Sequence, residues 1–156
     1  MKRIAKSLVA AAVTGVALTG TVVATTAPAQ AVSDLCGPGY GYKQIGTKKI
    51  HRGKAVAGTL YIYGKKYAKG KYKTKHWWNT CIIAKPNASL RGKVSHLQAE
   101  MFKMDNAGTI KHYRADGPGK NYHYVAGPVY MNTYGYAQSA VVKNASLTYK
   151  GKRYST

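Results

Sequence analysis

No stretch of residues 32–156 repeats apolar side chains at helical spacing, and this limits what the chain can fold into more than any other feature. Short runs rich in Tyr, Val, Ile and Thr are separated instead by Gly, Asn and Asp. β-Branched and aromatic side chains suit a pleated, half-buried surface, and Gly, Asn and Asp supply the backbone angles of tight turns. The pattern predicts an all-β domain, a small antiparallel sandwich or a partly open barrel. Expected strands are Gly58–Tyr63, Thr80–Lys85, Lys93–Met104, Thr109–Arg114, Asn121–Ala126, Val129–Thr133, Ala137–Lys143 and Ala145–Tyr149.

The clearest local unit is the hairpin around Asp105-Asn106-Ala107-Gly108. A three-residue loop with Gly108 in the left-handed region would join its arms through a bulge and set Met104 opposite Ile110, Phe102 opposite His112 and Glu100 opposite Arg114. A shift of one residue would break these pairs and send their members to opposite faces. In the first arm Leu97, Ala99 and Met101 alternate with His96, Gln98 and Glu100, as a half-buried strand requires. Phe102 and Met104 depart from that alternation.

Residues 1–31 read as a secretory signal peptide. Lys2, Arg3 and Lys6 precede an apolar stretch from Leu8 to Val23, which Thr14, Gly15, Thr19 and Gly20 interrupt, and Ala29-Gln30-Ala31 offers a small-residue cleavage site. The stretch is too short and broken for a membrane anchor, and Asp34-Leu35 before Cys36 lacks the small residue of a lipid-attachment site. The expectation is a soluble, secreted domain over 32–156 with no transmembrane segment. Its two cysteines, Cys36 and Cys81, would then pair, because an even count in an exported chain favours a disulfide. Closing a loop of about 46 residues is worth about 4 kcal/mol in the chain-entropy account.

Charge enters here, because it selects the partner. The whole chain carries 25 Lys and Arg against 4 Asp and Glu, and loss of the leader lowers the formal charge only from +21 to +18. Such an excess points to a polyanion. From Lys43 to Trp78 there are eleven Lys or Arg and no acid. Lys65 and Lys66 open the densest part, and beyond them Lys69, Lys71, Lys73 and Lys75 alternate with Gly70, Tyr72, Thr74 and His76. In an extended chain those four ammonium groups would share a face at intervals of about 6.6 Å. Tyr72, Trp77 and Trp78 add surfaces on which sugars or bases stack. The competing reading is a solvated loop kept soluble by its lysines. The 14 tyrosines divide in the same way, between filling strands of a small β core and forming a stacking surface.

Catalytic and metal-binding patterns mostly fail. The sequence has no G-x-S-x-G, H-E-x-x-H or C-x-x-C, the five histidines are scattered, and no cofactor or metal site is expected. One constellation survives: in the hairpin register above, His96, Glu100, His112 and Arg114 share a face and could serve a ribonuclease as base, acid and anion clamp. A cross-strand ion pair of Glu100 with Arg114 explains the same residues more simply. Asn87-Ala88-Ser89 and Asn144-Ala145-Ser146 match the glycosylation tripeptide, a pattern loose enough to arise by chance.

Cys36-Gly37-Pro38-Gly39-Tyr40, Gly58-Thr59-Leu60-Tyr61, Asn79-Thr80-Cys81, Asp116-Gly117 and the string Tyr122-His123-Tyr124-Val125-Ala126-Gly127-Pro128-Val129-Tyr130 resemble the spore-associated protein A family of small exported actinobacterial proteins. The resemblance implies a compact, disulfide-closed secreted domain at the cell or spore surface, and brings no catalytic residues with it. The lysine-rich stretch Lys65–Lys75, the +18 charge, and Tyr136-Ala137 where a cysteine would follow Tyr134-Gly135 all depart from that family.

The expectation is therefore a non-enzymatic secreted cationic protein that associates with anionic wall or spore-surface polymers, its charge also suiting nucleic acid. A secreted inhibitor or antimicrobial toxin, and less strongly a small ribonuclease, are the alternatives.

Overall fold

A computed structural model of the chain describes residues 36–66, 78–133 and 140–156. The described residues form an all-β unit. Eight strands run β1 (Lys43–Arg52), β2 (Ala55–Lys66), β3 (Trp78–Pro86), β4 (Ser95–Met104), β5 (Ile110–Asp116), β6 (Ala126–Asn132), β7 (Val141–Tyr149) and β8 (Lys152–Ser155). They pair in one antiparallel sheet of order β5-β4-β7-β8-β1-β2-β3-β6. The sheet curls until its edge strands β5 and β6 touch, so the partly open barrel is the architecture formed and the sandwich is not. No helix among the described residues is long and apolar enough to cross a membrane.

Alternation explains the core. Leu97, Ala99 and Met101 of β4 and Val141, Ala145 and Leu147 of β7 turn inward and bury against Ile50, Leu60, Ile82, Val129 and Met131. Each such large apolar side chain contributes about 1.5–3 kcal/mol when fully withdrawn from water. β3 departs from strict alternation, since Cys81, Ile82, Ile83 and Ala84 are all fully buried. Both of its faces are covered: Ile82 and Ala84 meet the barrel core, while Cys81 and Ile83 lie beneath the segment around Cys36 and Tyr42. The Cys36–Cys81 disulfide forms, with Cα atoms 5.8 Å apart, and fastens that segment to the outside of the barrel.

Several expected elements need correction. β1 and β8 were absent from the expected set: Ile50 is the one buried residue of β1, so its run of polar residues gives almost no apolar signal, and β8 is four residues long. Of the expected strand Asn121–Ala126 only Ala126 is in a strand, as the first residue of β6. The Tyr-His-Tyr alternation is spent on loop contacts instead, with the Tyr122 hydroxyl donating to Asp116 and the His123 ring bonded to the Val94 carbonyl. Ala145–Tyr149 belongs to one continuous strand with Val141–Lys143, because Asn144 stays in the ladder and donates its amide to Glu100. Residues 137–139 of the expected strand lie outside the described residues.

The β4–β5 hairpin begins as expected and then slips. Gly108 has φ +78°, its N–H donates to the Asp105 carbonyl at 3.0 Å, and Met104 pairs with Ile110. A bulge between Lys103 and Met104 then moves the register by one, giving Lys103 opposite His112, Phe102 opposite Tyr113, Met101 opposite Arg114 and Glu100 opposite Ala115. The alternation also continues to the end of β4, with Phe102 and Met104 half-buried and Lys103 buried.

Candidate functional site

The bulge decides which side chains meet. Paired residues share a face, so Arg114 joins Met101 and His112 joins Lys103 on the inward face, while Glu100 stays outside with Tyr113. The Tyr113 hydroxyl donates to Glu100 at 3.0 Å, and the Asn144 amide donates to the other carboxylate oxygen at 3.3 Å. The expected grouping of Glu100 with His112 and Arg114 is therefore split across the sheet. His96, at the start of β4, bonds Ser95 at 3.1 Å and is also apart from His112.

The structure assembles a different set. On β4 the inward alternation that buries Leu97, Ala99 and Met101 ends in Lys103, and on β7 the one that buries Leu147, Ala145 and Val141 includes Lys143, both lysines only 8% exposed. Burial pulls both amines below the usual lysine range, and for Lys143 the nearby Lys48 charge adds to that. Lys143 Nζ donates to the Val141 carbonyl at 2.9 Å, and Lys48 Nζ reaches from β1 to the Lys143 carbonyl at 2.9 Å. Arg114, exposed on β5, adds its charge to theirs at this end of the barrel, and His112 lies beside Lys103. The sequence signal for Lys103 and Lys143 was present, as lysines at inward steps of an alternating strand, but their charge made them read as surface.

The seam between β5 and β6 gives access to this end. At the opposite end it is stapled: Asp116 on β5 accepts a hydrogen bond from the Gly127 N–H on β6 at 2.8 Å, and further ones from the Tyr122 hydroxyl and Lys120, both at 3.2 Å. Burial raises the Asp116 carboxyl, but the Gly127 and Lys120 hydrogen bonds, the Lys120 charge and Tyr122 outweigh it and hold the group below its ordinary value. Gly127 is required there, since it sits at φ +102° and a Cβ would lie 2.6 Å from the Ile82 carbonyl oxygen. Away from the staple the seam opens into a cleft of about 300 Å³ lined by Lys103, His112, Arg114, Tyr130, Met131 and Asn132. Around the end of β6, a second hollow of about 390 Å³ shares Tyr130, Met131 and Asn132 and adds Tyr42 and Asn79. The Tyr42 and Tyr130 rings stand 6.0 Å apart and tilted, Tyr42 buried with the disulfide and Tyr130 exposed.

No acid enters this region among the described residues. Asp105 is held in its turn by the N–H groups of Ala107 and Thr109 and by Lys111 at 3.2 Å, Asp116 closes the staple, and Glu100 lies outside. No group of three or more His, Cys, Asp and Glu converges among the described residues.

Of the residues expected to bind a polyanion, two are placed. Lys65 Nζ donates to the Tyr40 carbonyl at 2.8 Å and sits 5.8 Å from the centre of the Tyr42 ring, so it helps hold the amino-terminal segment to the barrel. Lys66 ends β2 opposite Trp78 and lines a cleft of about 500 Å³ with Lys43, Gln44 and Ile45. Lys69, Lys71, Tyr72, Lys73, Lys75 and Trp77 lie outside the described residues, and Trp78 is described only as the first residue of β3. The antiparallel order nonetheless puts Lys66, Trp78, Met104, Ile110, Asn132 and Val141 at the same end of the barrel, the end where the seam opens.

No protein-family model, curated protein or solved structure matches this chain.

Proposed function

We propose that this is a secreted, non-enzymatic protein that holds anionic polymers of a cell or spore surface through its basic end. The observation that carries the reading is the disposition of charge. Each of the three acids among the described residues is already engaged by neighbouring donors, so none of them opposes the cations gathered where β2, β4 and β6 end. A wall polymer with repeated phosphates would meet Lys43, Lys66, His112 and Arg114 there. Binding of this kind releases counterions, so it weakens steeply with salt. The resemblance to the spore-associated protein A family supports a surface location.

Co-sedimentation with purified cell walls tests the reading. Binding at 50 mM salt should fall by about tenfold or more at 200 mM if several phosphates are neutralised. Replacing Lys69, Lys71, Lys73 and Lys75 by Gln should weaken binding and flatten the salt dependence. Binding that ignores salt would reject the electrostatic mechanism, and unchanged binding by the four-fold variant would remove those lysines from the site.

A further inference from the structure

The open half of the β5–β6 seam is a built recess, distinct in kind from an evenly basic surface. We propose that it is a discrete site for one phosphate group, held by Lys103, His112 and Arg114 with Tyr130 and Asn132 at its wall. The inference deepens the polymer-binding reading by naming where a phosphate of the polymer sits, but the site itself can be tested without any polymer.

Geometry supports it first. Lys103 and His112 are direct cross-strand partners, which places their Cβ atoms about 5 Å apart, and His112 and Arg114 are two residues apart on one strand, about 6.6 Å. Lys103, His112 and Arg114 thus line one cleft of about 300 Å³ from two strands, with the Arg114 guanidinium at its mouth donating one N–H to the Tyr113 carbonyl at 3.1 Å and keeping its others for a ligand. An ammonium supplies a point charge and a guanidinium a planar fork of N–H donors, the combination that suits a tetrahedral oxyanion better than a flat carboxylate.

Energetics supports it second. Lys103 occupies an inward position that Leu97, Ala99 and Met101 occupy in the preceding turns of the same alternation, and an apolar residue there would avoid the cost of desolvating an ammonium. Lys103 is not without a partner in the fold, and an anion in the cleft adds a further favourable contact to it. One wall of the cleft carries the buried Met131 and Lys103, while His112 and Arg114 stand exposed at its mouth, where a ligand from solvent reaches them. The exposed Tyr130 ring, which backs onto Tyr42 in the adjoining hollow, would lie beside whatever the phosphate is esterified to, a polyol or sugar.

Backbone and side-chain NMR of the protein, titrated with inorganic phosphate, with acetate and with a synthetic glycerol-phosphate oligomer at constant ionic strength, reads the site directly. Phosphate should shift the signals of β5 residues 112–114, Lys103 and Asn132 in a saturable way, and acetate should not. Arg114→Gln, on an exposed strand, should weaken phosphate binding about tenfold, the scale of one charge-assisted hydrogen bond, and Arg114→Lys should recover only part of it. His112→Gln provides a second variant that leaves Lys103 in place.

Saturable binding of the oligomer at the same residues assigns the polymer as the source of the phosphate, and binding of inorganic phosphate alone assigns the free ion. Shifts spread over all lysines without saturation, equal shifts with acetate, or undiminished phosphate affinity in folded Arg114→Gln would each overturn the proposal. Wall binding that survives in Arg114→Gln while phosphate shifts are lost leaves the polymer-binding reading intact and divorces it from the seam. Loss of wall binding in every preparation with the phosphate shifts retained does the reverse.

Discussion

Replacing Asp116 by Ala tests whether the barrel is closed by a side chain rather than by a ladder. β5 and β6 are the two ends of the sheet order, and Asp116 accepts the Gly127 N–H across the gap at 2.8 Å. A hydrogen bond to a charged acceptor is worth about 1.5–3 kcal/mol, and the contact from the half-buried Tyr122 hydroxyl about 1 kcal/mol more. The Lys120 contact is exposed and solvent-screened, so it is left out of the sum. The variant should thus lose about 2.5–4 kcal/mol at pH 7, a fall in Tm of about 10 °C or more for a domain of this size. Urea unfolding followed by circular dichroism measures the loss. Hydrogen exchange at the Gly127 amide, which should speed up even where the global midpoint moves less, localises it.

The pH dependence supplies an independent check. The folded carboxyl is held below its ordinary value, so its contribution is fully present above the usual aspartate range and is lost as pH falls through the folded value. The gap between wild type and Asp116→Ala should accordingly narrow below about pH 4. A loss under about 0.5 kcal/mol at pH 7, or a gap unchanged at acid pH, would refute the staple.

Lys143→Met should stabilise the protein by about 1 kcal/mol at pH 7, because it removes a desolvated charge facing Lys48. The depressed folded value means that wild-type stability rises with pH from that value up to the ordinary lysine value, so urea midpoints of the two proteins should converge as pH approaches about 10.5. Replacing Cys36 and Cys81 together by Ala should cost about 4 kcal/mol, and dithiothreitol should shift the wild-type urea midpoint by a similar amount while leaving the variant where it is. Since the bulge sets Glu100 on the outer face and His112 and Arg114 on the inner one, the purified protein should leave RNA uncut in a gel assay, and Glu100→Gln should change nothing in that assay.

The sequence by itself determined the class of the fold and the disulfide. Alternating β-rich runs and the two cysteines are local or nearly local signals, and β2, β3, β4, β5 and the greater part of β6 and β7 stand where those runs predicted. Polar strands escaped it, because β1 buries only Ile50 and so carries no apolar period to read. Tertiary structure alone decided the site. A single bulge after Lys103 transferred Arg114 and His112 from one face to the other relative to Glu100, and no residue type around Asp105–Gly108 announces a bulge on the far side of the turn. It also took closure of the sheet to bring β6 beside β5, two strands unpaired with each other, and so to gather Lys103, His112 and Arg114 with Tyr130 and Asn132 around one cleft. Side-chain direction has a period of two along every strand, so which charges gather depends on register and curvature, and these are properties of the whole sheet.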